Sequence, residues 1–223
     1  MAQLSGPTAA PAAGGPPRQL VVLLHGVGAD GHDLIGLAPM LARRLPHAQF
    51  VAPDGPEPCD MAPYGRQWFS LQDRRPAAML AGARRTAPLL DAYLDGLLER
   101  HGLEEGRMAL VGFSQGTMMS LFAGPRRTRP LAAILGFSGA LLGAEELPQE
   151  ARSRPPVMLI HGDLDDVVPV DAMFMAVEGL QTAEIPVEWI VRPGLPHSID
   201  PEGIDAGGRF LANMLRAQPP AAG

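Results

Sequence analysis

The chain has 223 residues, 46% of them hydrophobic and 19% charged, with a formal net charge of −6. That length suits a single α/β domain with a full core, and the acidic balance argues against a basic nucleic-acid footprint, since the arginines gather only as pairs such as Arg43-Arg44, Arg74-Arg75 and Arg126-Arg127. One cysteine, Cys59, excludes an internal disulfide and a cysteine-rich metal site, and fits a reducing compartment.

Residues 1–17 are rich in Ala, Pro and Gly and lack the basic and apolar regions of a signal peptide, so they are expected to form a disordered tail. Residues 18–217 then make up the domain, and 218–223 a frayed end. No apolar run reaches the roughly 18 residues that a membrane helix needs, so stable membrane insertion is not expected and the cytoplasm is the default location.

Within the domain, Leu20-Val-Val-Leu-Leu24 is a continuous apolar run too short for a helix, the pattern of a strand buried on both faces of a parallel sheet. Leu34, Leu37, Ala38, Leu41 and Leu45 recur at helical spacing, and Gln49-Phe-Val-Ala52 is a second strand closed by Pro53. From 53 to 75, Pro, Gly and Asp stand at turn-like density around Met61, Tyr64, Trp68, Phe69 and Leu71, which predicts a long functional loop. Leu89, Leu90, Tyr93, Leu94, Leu97 and Leu98 fall on one helical stripe. Further strands are expected at 108–113, 132–137, 157–160 and 187–191, and helices after Ser114 and over 169–181 and 205–216. Strand–helix alternation of this kind predicts a mostly parallel sheet with helices on both faces, with the chemistry gathered at the carboxyl ends of the strands.

Gly112-Phe-Ser-Gln-Gly116 sits at one such end, between an apolar strand and an apolar helix, and reads as a nucleophile elbow. A serine hydroxyl needs a base, and the base needs a carboxylate to fix its tautomer. After Ser114 the histidines are His161 and His197. In the chain order Ser, acid, His, His197 is the base, while His161 precedes every good acid candidate, abuts a strand and reads as a packed structural histidine. Asp163, Asp165 and Asp166 share one turn. Asp165, four residues past His161 and ahead of Val167-Val168, is the preferred acid; Asp163 reads as a turn-former through its own side chain, and Asp166 as a helix N-terminal charge. Acyl transfer also needs donors aimed at an oxyanion, and His25-Gly-Val-Gly28 after the first strand can set the Val27 N–H beside that of Gln115. A phosphate cradle is disfavoured there because no Lys-Ser/Thr follows.

Taken together, Leu24-His-Gly-Val-Gly-Ala-Asp-Gly31, Pro53-Asp-Gly-Pro-Glu-Pro58 with Arg66-Gln-Trp-Phe-Ser70, the elbow, His161-Gly-Asp-Leu-Asp-Asp-Val-Val-Pro169 and Leu195-Pro-His-Ser198 resemble, in family order over residues 19–216, the phospholipase/carboxylesterase family of small α/β-hydrolases, which includes acyl-protein thioesterases and bacterial carboxylesterases. The resemblance implies a single-domain α/β-hydrolase fold and a Ser114, Asp165, His197 triad. It also implies an oxyanion hole from the Val27 and Gln115 backbones, and hydrolysis of small-molecule carboxylic esters, thioesters or lysophospholipids with neither cofactor nor metal. Many relatives carry leucine at the position of Val27 and glycine at that of Thr117; the first changes only bulk beside a backbone donor, the second narrows the floor behind Ser114. Met61, Trp68 and Leu164 are candidate substrate contacts, with Trp68 either lining an acyl groove or pinning the loop to the core. Two rival readings are a serine peptidase, which on this fold usually adds a cap or propeller, and a non-catalytic scaffold, although every required residue is present. The interval 138–156, with Gly139, Gly143, Pro148, Pro155 and Pro156, has room for a loop and one helical turn but no cap domain, so an open groove is expected. The sequence sets no oligomeric state and is compatible with a homodimer.

Overall fold

The computed structural model describes residues 4–217. The chain runs through β1 (Thr8–Ala9), β2 (Gln19–Leu24), α1 (Gly31–Ile35), α2 (Ala38–Ala42), β3 (Ala48–Val51), the pair β4 (Glu57–Pro58) and β5 (Arg66–Gln67), and α3 (Pro76–His101). It continues through β6 (Met108–Phe113), α4 (Gln115–Ala123), β7 (Ala133–Phe137), α5 (Leu147–Glu150), β8 (Val157–Gly162), α6 (Asp171–Thr182), β9 (Val187–Arg192) and α7 (Pro201–Ala217). The main sheet has seven strands in the order β1-β3-β2-β6-β7-β8-β9. All its pairings are parallel except that of β1 with β3.

The alternation of each strand decides which helices cover it. Val21 and Leu23 of β2 pack with Ala109, Val111, Leu135 and Ile160 under α1, α2 and α7. Leu20, Val22 and Leu24 point the other way, with Met108 and Leu110, against α3 and α4. Ile134, Val157 and Leu159 meet α6. The five β2 residues from Leu20 to Leu24 are fully buried, and each such side chain contributes about 1.5–3 kcal/mol, which is why the central strands read as unbroken apolar runs. Among the described residues no helix is long and apolar enough to cross a membrane.

Four expectations are corrected or refined. Residues 4–17 are not a disordered tail: Leu4 is buried, β1 pairs antiparallel with β3, and the Ala52 and Asp54 amides donate to the Pro7 and Ser5 carbonyls. Gly6 approaches so closely that a Cβ there would lie 2.0 Å from the Ala52 carbonyl oxygen. Backbone pairing of this sort needs no apolar side chains, so composition gives no sign of it, and it closes what would otherwise be an open sheet edge. The expected frayed end, 218–223, lies outside the described residues. The 34–45 stripe is broken into α1 and α2, with Pro39 in the first turn of the second. The stripe at 89–98 is only the end of α3, a helix of 26 residues that carries Pro88 and whose Gly82 lies against the Phe69 ring, where a Cβ would be 2.8 Å from the ring carbons. Finally, the 53–75 loop carries within it a short β4–β5 hairpin that its composition does not show. The interval before β8 holds, as expected, one short helix, the four-residue α5.

Deleting Leu4–Ala9 uncovers the outer edge of β3. A drop in Tm of at least about 4 °C is expected, with aggregation on heating, measured by calorimetry and light scattering against the full chain.

Candidate active site

Four strand ends, those of β2, β6, β8 and β9, carry the candidate residues at the carboxyl edge of the sheet. β6 ends in the elbow, where Ser114 has φ 53° and ψ −116°, a left-handed conformation that costs a non-glycine residue about 1–3 kcal/mol. The surroundings enforce it. The Ser114 amide donates to the Phe137 carbonyl at 2.9 Å, and the Met118 amide takes the Ser114 carbonyl as the first turn of α4 closes. A Cβ at Gly112 would lie 2.4 Å from the Thr117 nitrogen, and one at Gly116 would lie 1.8 Å from the Leu24 carbonyl oxygen, so no residue with a side chain fits either position. Thr117 sits behind the elbow, beside β7. Its hydroxyl donates to the Phe137 carbonyl at 2.8 Å, and its methyl fills space that Gly136 and Gly139 leave open.

The loop after β2 lies against the elbow: a Cβ at Gly26 would be 3.3 Å from the Ser114 Cβ. Gly28, at φ +83°, donates its amide to the Arg66 carbonyl, and the Arg66 amide donates back to Ala29. Among the described residues the Val27 and Gln115 amides donate to no protein acceptor. The Gln115 amide opens α4, where the helix dipole adds to its pull on an anion.

A network of buried hydrogen bonds fixes this loop. His25, fully buried, donates from Nδ1 to the Gly26 carbonyl at 2.7 Å and accepts the Gly55 amide at Nε2 at 2.8 Å. Burial lowers its pKa below 6.5, so His25 stays neutral and its support for the fold weakens as pH falls through that value. The Trp68 indole donates to the His25 carbonyl at 2.9 Å. Gln115 Oε1 accepts the Trp68 amide at 2.9 Å while its Nε2 donates to the Phe69 carbonyl at 2.7 Å, as a neighbouring strand would. Trp68 has no exposed surface, so it pins the loop to the elbow and does not line a substrate groove. Neither the Gln115 clamp nor the bonds of the Arg66 guanidinium to the Gly55 and Pro56 carbonyls had any sign in the sequence beyond the residues' presence in shared motifs.

The acid turn follows β8. Asp165 is buried: its Oδ1 accepts the Val167 and Val168 amides at 3.0 and 2.8 Å, and its Oδ2 lies 2.7 Å from His197 Nδ1. Burial alone would raise its pKa, but the bonds from His197 and the two amides outweigh that and hold it below the usual 3.8. The stability this gives is present above 3.8 and is lost as pH falls through the depressed value. Because an ionised carboxylate only accepts, His197 carries its proton on Nδ1 and presents Nε2 as a base. The His197 ring packs on Phe113, the residue before Ser114, with centroids 4.8 Å apart. His161 donates to the Val168 carbonyl at 2.7 Å and lies 3.3 Å from Asp165 Oδ2, a buttress under the acid, as its structural reading expects.

The two neighbouring aspartates differ from their sequence reading in detail. Asp163 does not close its own turn; its Oδ1 accepts the Gly194 amide at 2.6 Å and so ties the loop that carries His197 to the end of β8. Asp166 stands well before α6, whose first-turn acid is Asp171. Met61 and Leu164 are 49% and 64% exposed, and Tyr64 and Val167 are exposed beside them in sequence.

Comparison with known proteins identifies what the chain is similar to. A profile described as Phospholipase/Carboxylesterase matches residues 9–215. Acyl-protein thioesterase 1 of Gibberella zeae is 29% identical over 211 residues, 87% of this chain and 90% of that protein. Esterase YpfH of Escherichia coli K12 is 30% identical over 192 residues, 83% of this chain and 78% of that one. The crystal structure of esterase PE8 superposes with a TM-score of 0.91 at 44% identity, covering 96% of this chain and all of the other.

The aspartates make a direct test. Asp165→Asn is expected to lower kcat by about 10³–10⁴-fold, because only this residue sets the His197 tautomer. Asp163→Asn, which keeps an acceptor for Gly194, is expected to cost less than about tenfold, and Asp166→Asn less still. Steady-state kinetics on folded variants give the ranking, and a largest loss at Asp163 would displace the acid.

Proposed function

We propose that this chain, which belongs to the phospholipase/carboxylesterase family, hydrolyses carboxylic esters and thioesters through an acyl-enzyme on Ser114. The observation that carries the reading is the His197–Asp165 pair, 2.7 Å apart, packed on the residue before a strained serine. His197 Nε2 takes the Ser114 proton as Oγ bonds to the carbonyl carbon, and Asp165 stays ionised and stabilises the imidazolium. The oxyanion that forms is received by the Val27 and Gln115 amides; a single donor of this kind is worth about 3–4 kcal/mol in a well-studied hydrolase. His197 then returns the proton to the departing alcohol or thiol. Water repeats the sequence on the acyl-enzyme, gives its proton to Nε2 and releases the acid, with Ser114 restored.

Substrate reach follows from what covers the site. The only helix between β7 and β8 among the described residues is the four-residue α5, too little to form a lid over Ser114. Met61 and Leu164, exposed on two different loops, would hold a short to medium acyl chain, with each buried CH₂ adding about 0.8 kcal/mol until the groove ends. The thioesterase relatives extend the reading from oxygen esters to thioesters, and the buried triad chemistry does not distinguish the two leaving groups.

The test is a p-nitrophenyl ester series carried through its solubility limit, with an acyl-thioester and a peptide amide alongside. The expected result is saturable hydrolysis of the dissolved short and medium esters, a decline in kcat/KM for long chains, no rate jump on forming an emulsion, and loss of more than about 10³-fold in Ser114→Ala. A jump at the emulsion would show a lid, dominant amide cleavage would make the chain a peptidase, and retained activity in Ser114→Ala would remove the nucleophile assignment.

A further inference from the structure

β9 ends the sheet on the side opposite β1, and only its inner edge is paired. The strand Val187-Glu-Trp-Ile-Val-Arg192 contains neither proline nor lysine, the residues that most often blunt natural edges, and Trp189 on it is 44% exposed. The ladder to β8 fixes which backbone groups face outward. Val157 donates to the Pro186 carbonyl and Asp163 to the Arg192 carbonyl, so the even-numbered residues turn their amides inward. The N–H and C=O of Val187, Trp189 and Val191 therefore point away from the sheet. On the even face, Glu188 and Ile190 line a groove of about 250 Å³ with Met158, Phe210 and Met214. On the odd face, Val187 and Val191 pack toward α6.

We propose that β9 is a homodimer interface, in which a second copy adds its own β9 antiparallel across a twofold axis through Ile190 and the sheet continues from one chain into the other. Outward amides must meet outward amides, so only registers that set odd residues opposite odd residues are open. Centred on Glu188, the pairing sets two carboxylates face to face; centred on Trp189, it sets Glu188 against the partner's Ile190. Centred on Ile190, it sets Glu188 opposite the partner's Arg192, twice, at positions where cross-strand side chains come closest. Arg192 can serve both roles: its Nε and Nη2 hold Asp200 and Glu202, and Nη1 remains for the carboxylate across the axis. The same register closes Ile190 over its twin at the mouth of the two apolar grooves and lays Trp189 on the partner's Val191, so the exposed indole is covered.

Sedimentation of the full chain over a concentration series tests the association, and cysteine cross-linking tests the register. The expected species has twice the mass of one chain, and Glu188→Lys, at an exposed position, weakens it by at least about tenfold because it opposes two pairs of like charges. In a Cys59→Ser background, Ile190→Cys is expected to form an intermolecular disulfide under mild oxidation while Glu188→Cys does not. A wild-type chain that sediments as a monomer at every concentration, a dimer indifferent to Glu188→Lys, or cross-linking through Glu188→Cys in place of Ile190→Cys would each overturn the proposal.

Discussion

The site depends on one close approach: the first turn of α4 is pressed onto the end of β2, with the Leu24 carbonyl where a side chain at position 116 would be. Two strands adjacent in the sheet thus end at one level, and the turn after each is held in van der Waals contact with the other. The contact brings the loop after β2 against the elbow, with Gly26 beside the Ser114 Cβ. It also puts the Gln115 side chain in reach of the 66–69 segment, which it grips like an extra strand. From there the hydrogen bonds run without a break, from Trp68 to the His25 carbonyl and from Gly55 to the His25 ring. A half-satisfied network at this depth would cost more than an apolar one, and each member here has its partner.

The other half of the site is held by electrostatics. Asp165 is a carboxylate with no exposed surface, a position that favours the neutral acid unless donors converge on it. Two backbone amides and the His197 ring converge, and the carboxylate stays ionised. In the proposed mechanism that charge has its use when His197 takes a proton, because the imidazolium then forms beside an anion already desolvated and oriented. Asp163 and Arg192 hold the two ends of the loop that carries His197, one through the Gly194 amide and the other through Asp200. The His197 side chain is therefore fixed by its ring contacts and by both of its flanks.

What could be read in the sequence follows from which interactions leave a compositional trace. The central strands were legible because burial on both faces demands unbroken apolar runs, and the elbow because only glycine tolerates the contacts at 112 and 116. Asp165 and His197, singled out by chain order, lie 2.7 Å apart. Less was legible where backbone does the work: β1 and the β4–β5 hairpin join main-chain groups, which every sequence possesses, and the Asp163 carboxylate takes a backbone amide, that of Gly194, which nothing in the sequence singles out. Helix α3 was half hidden because Gly82 and Pro88 break its pattern, although Gly82 is there to admit the Phe69 ring. Trp68 was ambiguous because an aromatic in a loop buries equally well against a ligand or against the core, and its complete burial and its indole bond to the His25 carbonyl decide.

Covalent labelling addresses the central claim most directly. An alkyl fluorophosphonate loses fluoride to an activated serine and leaves a phosphonyl group on its oxygen, which peptide mass spectrometry locates. The account predicts one adduct, on Ser114, formed rapidly in the wild-type chain and far more slowly when His197 is replaced by alanine. Adducts on a different residue, or ester hydrolysis that continues while Ser114 is fully labelled, would contradict it.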